Sequence, residues 1–412
     1  MNTSVEEQRF FIQGVTYAAT DVRLQEALAR IHETPERPRC MCVEGGIEMY
    51  VALHRLFVVK RMPDTGCRHH PACPSYQPPS HQSGLGELMG EAIIEHEPES
   101  VELRLDFPFA RMPGRSIARG TLQEAADVKV APRRMSLRAV MHFLFERAGM
   151  NRWTPAMQGK RNQGVLHKYL TEAAEEVTSK GLPLSERLYV PEPFSETGKL
   201  QIAERRRKKF TALQAQADEA RANMALVLGE FKGSEETAFG RKVWLKHMPD
   251  APLLTDARTW KRIERVYGPL FEARDADTAR KPRIVICALI FARSEHLYQI
   301  DTASFMLASQ EWIPLNGSHE IDLIHALVEQ QRRFVKPLQY DAKSAASFPN
   351  ALLLDAGAMP LALHVVSRYM DPKDQAAKEE ALKSSDGTPW VWHAGKPMPA
   401  LPAVLTGAAA RR

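Results

Sequence analysis

The sequence predicts an α+β protein of several domains: a small β-hairpin module at the N-terminus, a helical middle region and a C-terminal α/β domain. Three observations carry the prediction. At 412 residues the chain is too long for one ordinary core. Apolar residues recur at helical spacing between 136 and 180, and in short runs or alternation after 281. Four of the five cysteines fall at 40, 42, 67 and 73, two on each side of one predicted hairpin.

Hydrophobic content of 44% and charged content of 25% are those of a globular chain. The 55 Lys and Arg against 50 Asp and Glu leave a net charge of +5, which permits contact with nucleic acid without demanding it. The first thirty residues lack the apolar stretch of a signal peptide, and no run of 18 apolar residues occurs to cross a membrane. The expected location is the cytoplasm, with no membrane partner. Clustered cysteines in a reducing compartment point to metal binding and not to disulfides. Cys287, inside the apolar run RIVICALIFA, reads as a small buried hydrophobe.

The N-terminal module spans 1–90. Val22, Leu24, Leu28 and Ile31 predict a helix over 14–32. MYVAL and LFVVK, joined by His-Arg, predict a β-hairpin over 47–61, and a Pro/Ser/Gly-rich loop follows over 63–87. A mixed region covers 91–198. There SVELRLDFP alternates as a half-buried strand over 100–108. Leu137, Val140, Met141, Leu144, Phe145 and Ala148 define a helix over 136–148, with Ser136 as N-cap and Gly149 as stop. Val165, Leu166, Tyr169, Leu170, Ala173 and Val177 define a second over 163–180, ended by Gly181.

Residues 199–280 open on a long helix over 200–228 whose sparse apolar positions suit a bridge between domains. A β-rich stretch, AFGRKVWLKHMPD, and a helix over 255–267 follow. The last domain covers 281–396. Its strands are predicted at 283–292, 297–308, 311–315, 337–341, 351–355, 361–367 and 389–393, with helices at 318–334 and 371–384. The second helix starts on Asp371-Pro372, a cap followed by proline at the first helical position. Residues 397–412 form a loose Pro/Ala-rich tail.

Zinc takes four thiolate or imidazole ligands, at about 2.0–2.3 Å, in a tetrahedron that two short turns can supply in pairs. Cys40-Met41-Cys42 offers one pair. The other lies within Gly66-Cys67-Arg68-His69-His70-Pro71-Ala72-Cys73, either as Cys67 with His69 or as His69 with Cys73. His69 is common to both, and His70 and Cys67 are alternates. Full protein ligation makes the expected Zn2+ structural, because it leaves no position for a reactive water.

CMC at 40–42, GGIEMYVAL, FVVKRMPDTG and HHPAC at 69–73 together resemble a bacterial family known as domain of unknown function 1173. The likeness extends over most of the chain, through RWTPAMQGKR, LYVPEPF and the C-terminal LHVVS and VWH. Three N-terminal cysteines are the hallmark of that family. The resemblance implies that these are Cys40, Cys42 and Cys73, that Cys67 is extra, and that the ligands are Cys40, Cys42, His69 and Cys73. It implies no activity. The spacing of Cys67 and His69 is also similar to that of SWIM-type zinc fingers, modules for DNA or protein contacts.

The order helix, three strands, helix, strand from 318 to 393 resembles the core of PD-(D/E)xK nucleases. In that family an Asp on the second strand and a Glu on the third hold Mg2+, and a Lys polarises the attacking water. Here Pro349-Asn350 stands where Pro-Asp belongs, and His364-Val365-Val366 stands for Glu-x-Lys. The resemblance implies a nuclease-like domain that has lost catalysis. Were cleavage retained, Glu329, Asp355 and His364 would carry it.

Helices 136–148 and 163–180 read as a helical hairpin, with a connection longer than that of a helix-turn-helix. Arg152, Lys160, Arg161 and Lys168 line one side of it, and Arg205, Arg206 and Arg207 make a second basic run. Phosphate contacts from these residues would give salt-sensitive binding to DNA or RNA. The expected function is a zinc-binding accessory protein that contacts nucleic acid without catalysis, with DNA transactions of mobile elements a natural setting. The alternatives are a metal-dependent nuclease and a protein-interaction scaffold.

Overall fold

The computed structural model describes residues 8–53, 56–96, 100–111, 133–213, 222–277, 279–367, 370–384 and 389–405. Its N-terminal sheet runs in the order Val15–Ala18, Arg9–Ile12, Arg39–Cys40, Ile47–Leu53, Phe57–Arg61, antiparallel throughout. The hairpin expected over 47–61 is present. The helix expected over 14–32 is shorter, Leu24–Ile31, because a further hairpin precedes it. That hairpin turns at Gln13-Gly14, both with positive φ, the geometry that matches the twist of paired strands. Leu24, Leu28 and Ile31 bury the inner face of the helix, each contributing roughly 1.5–3 kcal/mol.

The middle of the molecule departs further from expectation. The helix expected over 200–228 ends at Phe210, and Ala222–Thr237 is a 16-residue strand. Its apolar start mimics a helix because both faces are covered. Met224, Leu226 and Leu228 enter one core, and Ala225 and Val227 enter another. The first half of this strand pairs with Arg283–Ser294. Past a register shift at Phe231/Gly233, the second half pairs with Gly240–Leu245. Gly240–Leu245 pairs in turn with Leu253–Asp256, which lies parallel to Leu297–Ala308. Leu297–Ala308 returns to Arg283–Ser294, so five strands close into a small barrel. Helix Ala257–Ala276 connects its third strand to its fourth and buries Trp260 and Ile263 in the same core. Phe231, Phe271 and Phe305 meet there with centroids 5.2 to 5.5 Å apart. Cys287 is buried on the fourth strand, as expected, and burial pushes its thiol up to about 12.

Helices Leu137–Arg147 and Gln163–Glu175 pack on each other, and the first lies against two barrel strands. Ser136 and Asn162 cap them, accepting from the backbone N–H of Ala139 at 3.2 Å and of Val165 at 3.1 Å. Their connection contains the strand Arg152–Trp153, which is the edge of the C-terminal sheet. That sheet runs Arg152–Trp153, Phe334–Val335, Ala351–Leu353, Leu361–Val366, Trp390–His393. Its last two strands are parallel, with helix Pro372–Lys383 between them in sequence. The helix expected over 318–334 is the turn Ser318–Glu320 followed by Ile321–Glu329, and the strand expected at 337–341 lies at Phe334–Val335. The hydrophobic cores cross the expected domain boundaries. One joins Leu88 to Tyr340, another joins Trp153 to Trp392, and Val335 and Leu354 complete the core of the N-terminal sheet.

Candidate metal centre

Cys40 ends the central strand of the N-terminal sheet, paired with Phe10 on one side and Ile47 on the other. Cys42 lies two residues on, in the turn that Gly46 closes. Gly46 has φ +67, the left-handed region that favours glycine. His69 follows the short helical turn Gly66–Arg68, and Cys73 follows a second turn in which its N–H bonds the His70 carbonyl at 2.8 Å. The two turns converge. One ligating atom from each of Cys40, Cys42, His69 and Cys73 lies within 4.8 Å of every other.

Cys42 Sγ stands 3.3 Å from His69 Nδ1, Cys73 Sγ stands 3.7 Å from it, and Cys40 and Cys73 sulfurs are 3.7 Å apart. Sulfur and nitrogen ligands of a tetrahedral ion stand about 3.5–3.8 Å apart, and these three separations lie close to that. Hydrogen bonds from the Cys42 and Cys73 thiols hold Cys40 far below the usual thiol range. Donating them raises Cys42 and Cys73. Gln8 Nε2 reaches Cys40 Sγ at 3.5 Å and Ser75 Oγ at 2.9 Å, and the Ser75 N–H donates to Cys73 Sγ at 3.4 Å. Such N–H donors disperse thiolate charge and fix ligand orientation. A donor set of three sulfurs and one nitrogen fits a soft or borderline ion. The alternates fall outside it: Cys67 is exposed, and His70 Nδ1 accepts from the N–H of Ala72 at 3.2 Å.

The structure gives the basic candidates different roles. Arg152 donates to the Cys73 carbonyl at 3.1 Å and to that of Tyr76, so it ties the metal loop to the edge of the C-terminal sheet. Arg161 donates to the carbonyls of Gly149, Met150, Arg152 and Glu311 and lies over the Trp153 ring. Burial lowers both guanidiniums to about 10. Arg206 is buried and paired with Asp250, and exposed Arg205 forks onto Glu192. Arg152, Arg161 and Arg206 are held by partners inside the molecule, and Arg205 stays at the surface beside Glu192. Lys160, Lys168 and Arg207 are exposed, Lys168 with Glu172 at 4.0 Å.

Glu329, Asp355 and His364 do not gather. Glu329 is exposed and pairs with His325 at 3.2 Å. Asp355 is bound by Arg332 at 2.7 Å and by the N–H of Arg333 at 2.7 Å. His364 is buried, its Nδ1 has no partner among the described residues, and burial pushes it down to about 3. Asn350, in the place expected of an Asp, bonds Glu320 at 2.6 Å instead. Glu320 and Lys378, which meet there, carry no local motif; only the buried polar cluster reveals them.

Fold and site together define a mixed α/β protein with a Cys3His cluster able to hold a metal ion. The family model described as "Protein of unknown function (DUF1173)" matches residues 10–395, and the chain belongs to that family. Cys40, Cys42 and Cys73, three of the four cysteines in the N-terminal region, supply the thiols of the cluster. No curated protein and no solved structure matches the chain. Among the described residues no helix is long and apolar enough to cross a membrane.

Proposed function

We propose that the protein is a zinc-stabilised accessory factor that contacts single-stranded nucleic acid and does not cleave it. Four protein ligands would fill the tetrahedron of a Zn2+ ion, which then supplies folding energy and no reactive site. The nucleic-acid reading rests on the barrel. Numbered along the chain, its strands neighbour one another in the order 1-2-3-5-4 and back to 1, with a helix between the third and fourth. This arrangement resembles the Greek-key barrel whose second and third strands, with the 1–2 and 4–5 loops, bind oligonucleotides.

One observation carries the reading furthest. Phe239, in the 1–2 turn, is 88% exposed, and Lys242 and Trp244 are half-buried on the second strand between core residues. Arg293 and His296 are exposed at the 4–5 turn. Bases stack on such aromatics while cations follow the phosphates. Fluorescence anisotropy with single-stranded DNA and RNA at low salt tests the idea. Phe239→Ala is expected to weaken binding by about 1–3 kcal/mol, the usual value of one stacked base. Absence of binding to either polymer would overturn the reading. Plasmid incubated with Mg2+ or Mn2+ is expected to stay intact, and cleavage abolished by Asp355→Ala would favour the nuclease alternative.

A further inference from the structure

A second polar centre lies in the C-terminal domain, used by neither the metal cluster nor the barrel face. Glu320 and Lys336 are fully buried and pair at 3.0 Å. Glu320 also accepts from the N–H of Asn316 at 2.7 Å, from its side-chain amide at 3.1 Å, and from Asn350 Nδ2 at 2.6 Å. Lys378, 3% exposed, reaches the same centre from helix Pro372–Lys383. Its Nζ donates to the Phe348 carbonyl at 2.5 Å and to Asn350 Oδ1 at 3.1 Å. Both acceptors are neutral, and among the described residues no carboxylate oxygen lies within 4.0 Å of this ammonium. The centre thus holds two buried cations and one buried anion.

A buried charge without a counter-charge in contact is costly, and a bound anion is one way to offset that cost. Lys378 does not face packed protein on every side. With Asn350 and Phe348 it lines a cavity of 490 Å³ whose other walls include Arg138, His319 and Lys343. Two carboxylates also line it. Asp341 is occupied, accepting from the Ser136 hydroxyl at 2.8 Å and N–H at 3.1 Å, and Asp374 is exposed on the first turn of the helix. Arg138 holds Gln339 Oε1 at 2.8 Å through one nitrogen. A guanidinium has further donors, so it can bind a second group.

We propose that this cavity binds a phosphate group, with Lys378 as its charged anchor and Arg138 as a second donor. A dianion with several acceptor oxygens matches two cations that approach from different elements.

The test is calorimetric titration of the full chain with sodium phosphate, against sodium chloride at equal ionic strength. Saturable heat is expected. Lys378→Met weakens it by at least about tenfold, the value of one charge-assisted hydrogen bond, and Arg138→Gln by a smaller factor. Lack of saturable heat, or unchanged affinity in both variants, would overturn the proposal. Circular dichroism checks the fold of Lys378→Met; should that variant fail to fold, Arg138→Gln decides alone. Phe239→Ala leaves phosphate affinity unchanged, so this proposal and the barrel reading fail separately. Competition by a 5′-phosphorylated oligonucleotide, and not by its unphosphorylated form, places the phosphate on a nucleic-acid end. Competition by neither places it on a small phosphate ester. Either result supports the site.

Discussion

Cys40 and Cys42 are two residues apart, and His69 and Cys73 are four apart, so each pair can present its ligands from one short turn. The geometry separates them from their neighbours. Metal analysis of the purified chain should find about one zinc, as a single tetrahedral donor set requires. Cys40→Ser, Cys42→Ser and His69→Ala should each lower that content and destabilise the N-terminal region by several kcal/mol. Cys67→Ser and His70→Ala should leave the content unchanged; loss of metal in either would displace the assigned ligand set. Lys378 gives a pH prediction. Burial pulls its ammonium from 10.5 down to about 8. Between these values the unfolded chain holds the extra proton, so stability rises with pH across that interval. Denaturant midpoints of wild type and Lys378→Met, compared at pH 7.5 and pH 10, should show a larger rise in the wild type. Parallel curves would contradict it.

At the scale of elements, capping and pairing explain which predicted segments keep their bounds. Asp256 caps helix Ala257–Ala276, accepting from the Thr259 N–H at 2.9 Å and from its hydroxyl at 2.9 Å. Asp256→Ala should cost about 1 kcal/mol in denaturant unfolding, the usual value of an N-cap. A change below a few tenths would mean that barrel contacts alone hold the helix end. The similar stretches Lys60-Arg61-Met62-Pro63-Asp64 and Lys246-His247-Met248-Pro249-Asp250 both close a turn on the methionine carbonyl, Met62 with the Thr65 N–H at 3.4 Å and Met248 with the Ala251 N–H at 3.5 Å, but differ in their backbone dihedrals. Positive φ falls on Asp64 in the first and on His247 in the second. Strand Arg152–Trp153 shows the same limit. Its two residues have no periodicity to read, yet they join the C-terminal sheet to the metal loop.

The N-terminal sheet and the C-terminal sheet share a core. Val335 and Leu354, far along the chain, sit in the core of the N-terminal sheet with Cys40 and Cys73. Removing the metal with a chelator should therefore speed amide exchange at 152–153 and 334–335 as well as within 8–96. Exchange confined to 8–96 would show that the N-terminal sheet loosens alone. Nucleic-acid binding should have a shallow salt dependence, with a log–log slope of no more than about 3, since each neutralised phosphate of a single strand adds roughly 0.7. Lys160→Gln and Arg207→Gln, on neither the second strand nor the 1–2 and 4–5 turns, should leave affinity unchanged if the barrel is the contact.

Periodicity and caps in the sequence determined helices 137–147 and 163–175, the two long strands 283–294 and 297–308, and the helix that begins at Asp371-Pro372. Cysteine spacing determined that a four-ligand cluster forms near the N-terminus. These are local properties, fixed by residues within a few turns of one another. Tertiary structure alone decided that ANMALVL is a strand, because burial on both faces erases alternation. It decided that Arg152, Arg161 and Arg206 serve the interior, since a cation's partner lies elsewhere in the chain. The closed barrel and the Glu320–Lys336–Lys378 centre arise from contacts between distant segments, and no spacing of residues encodes them.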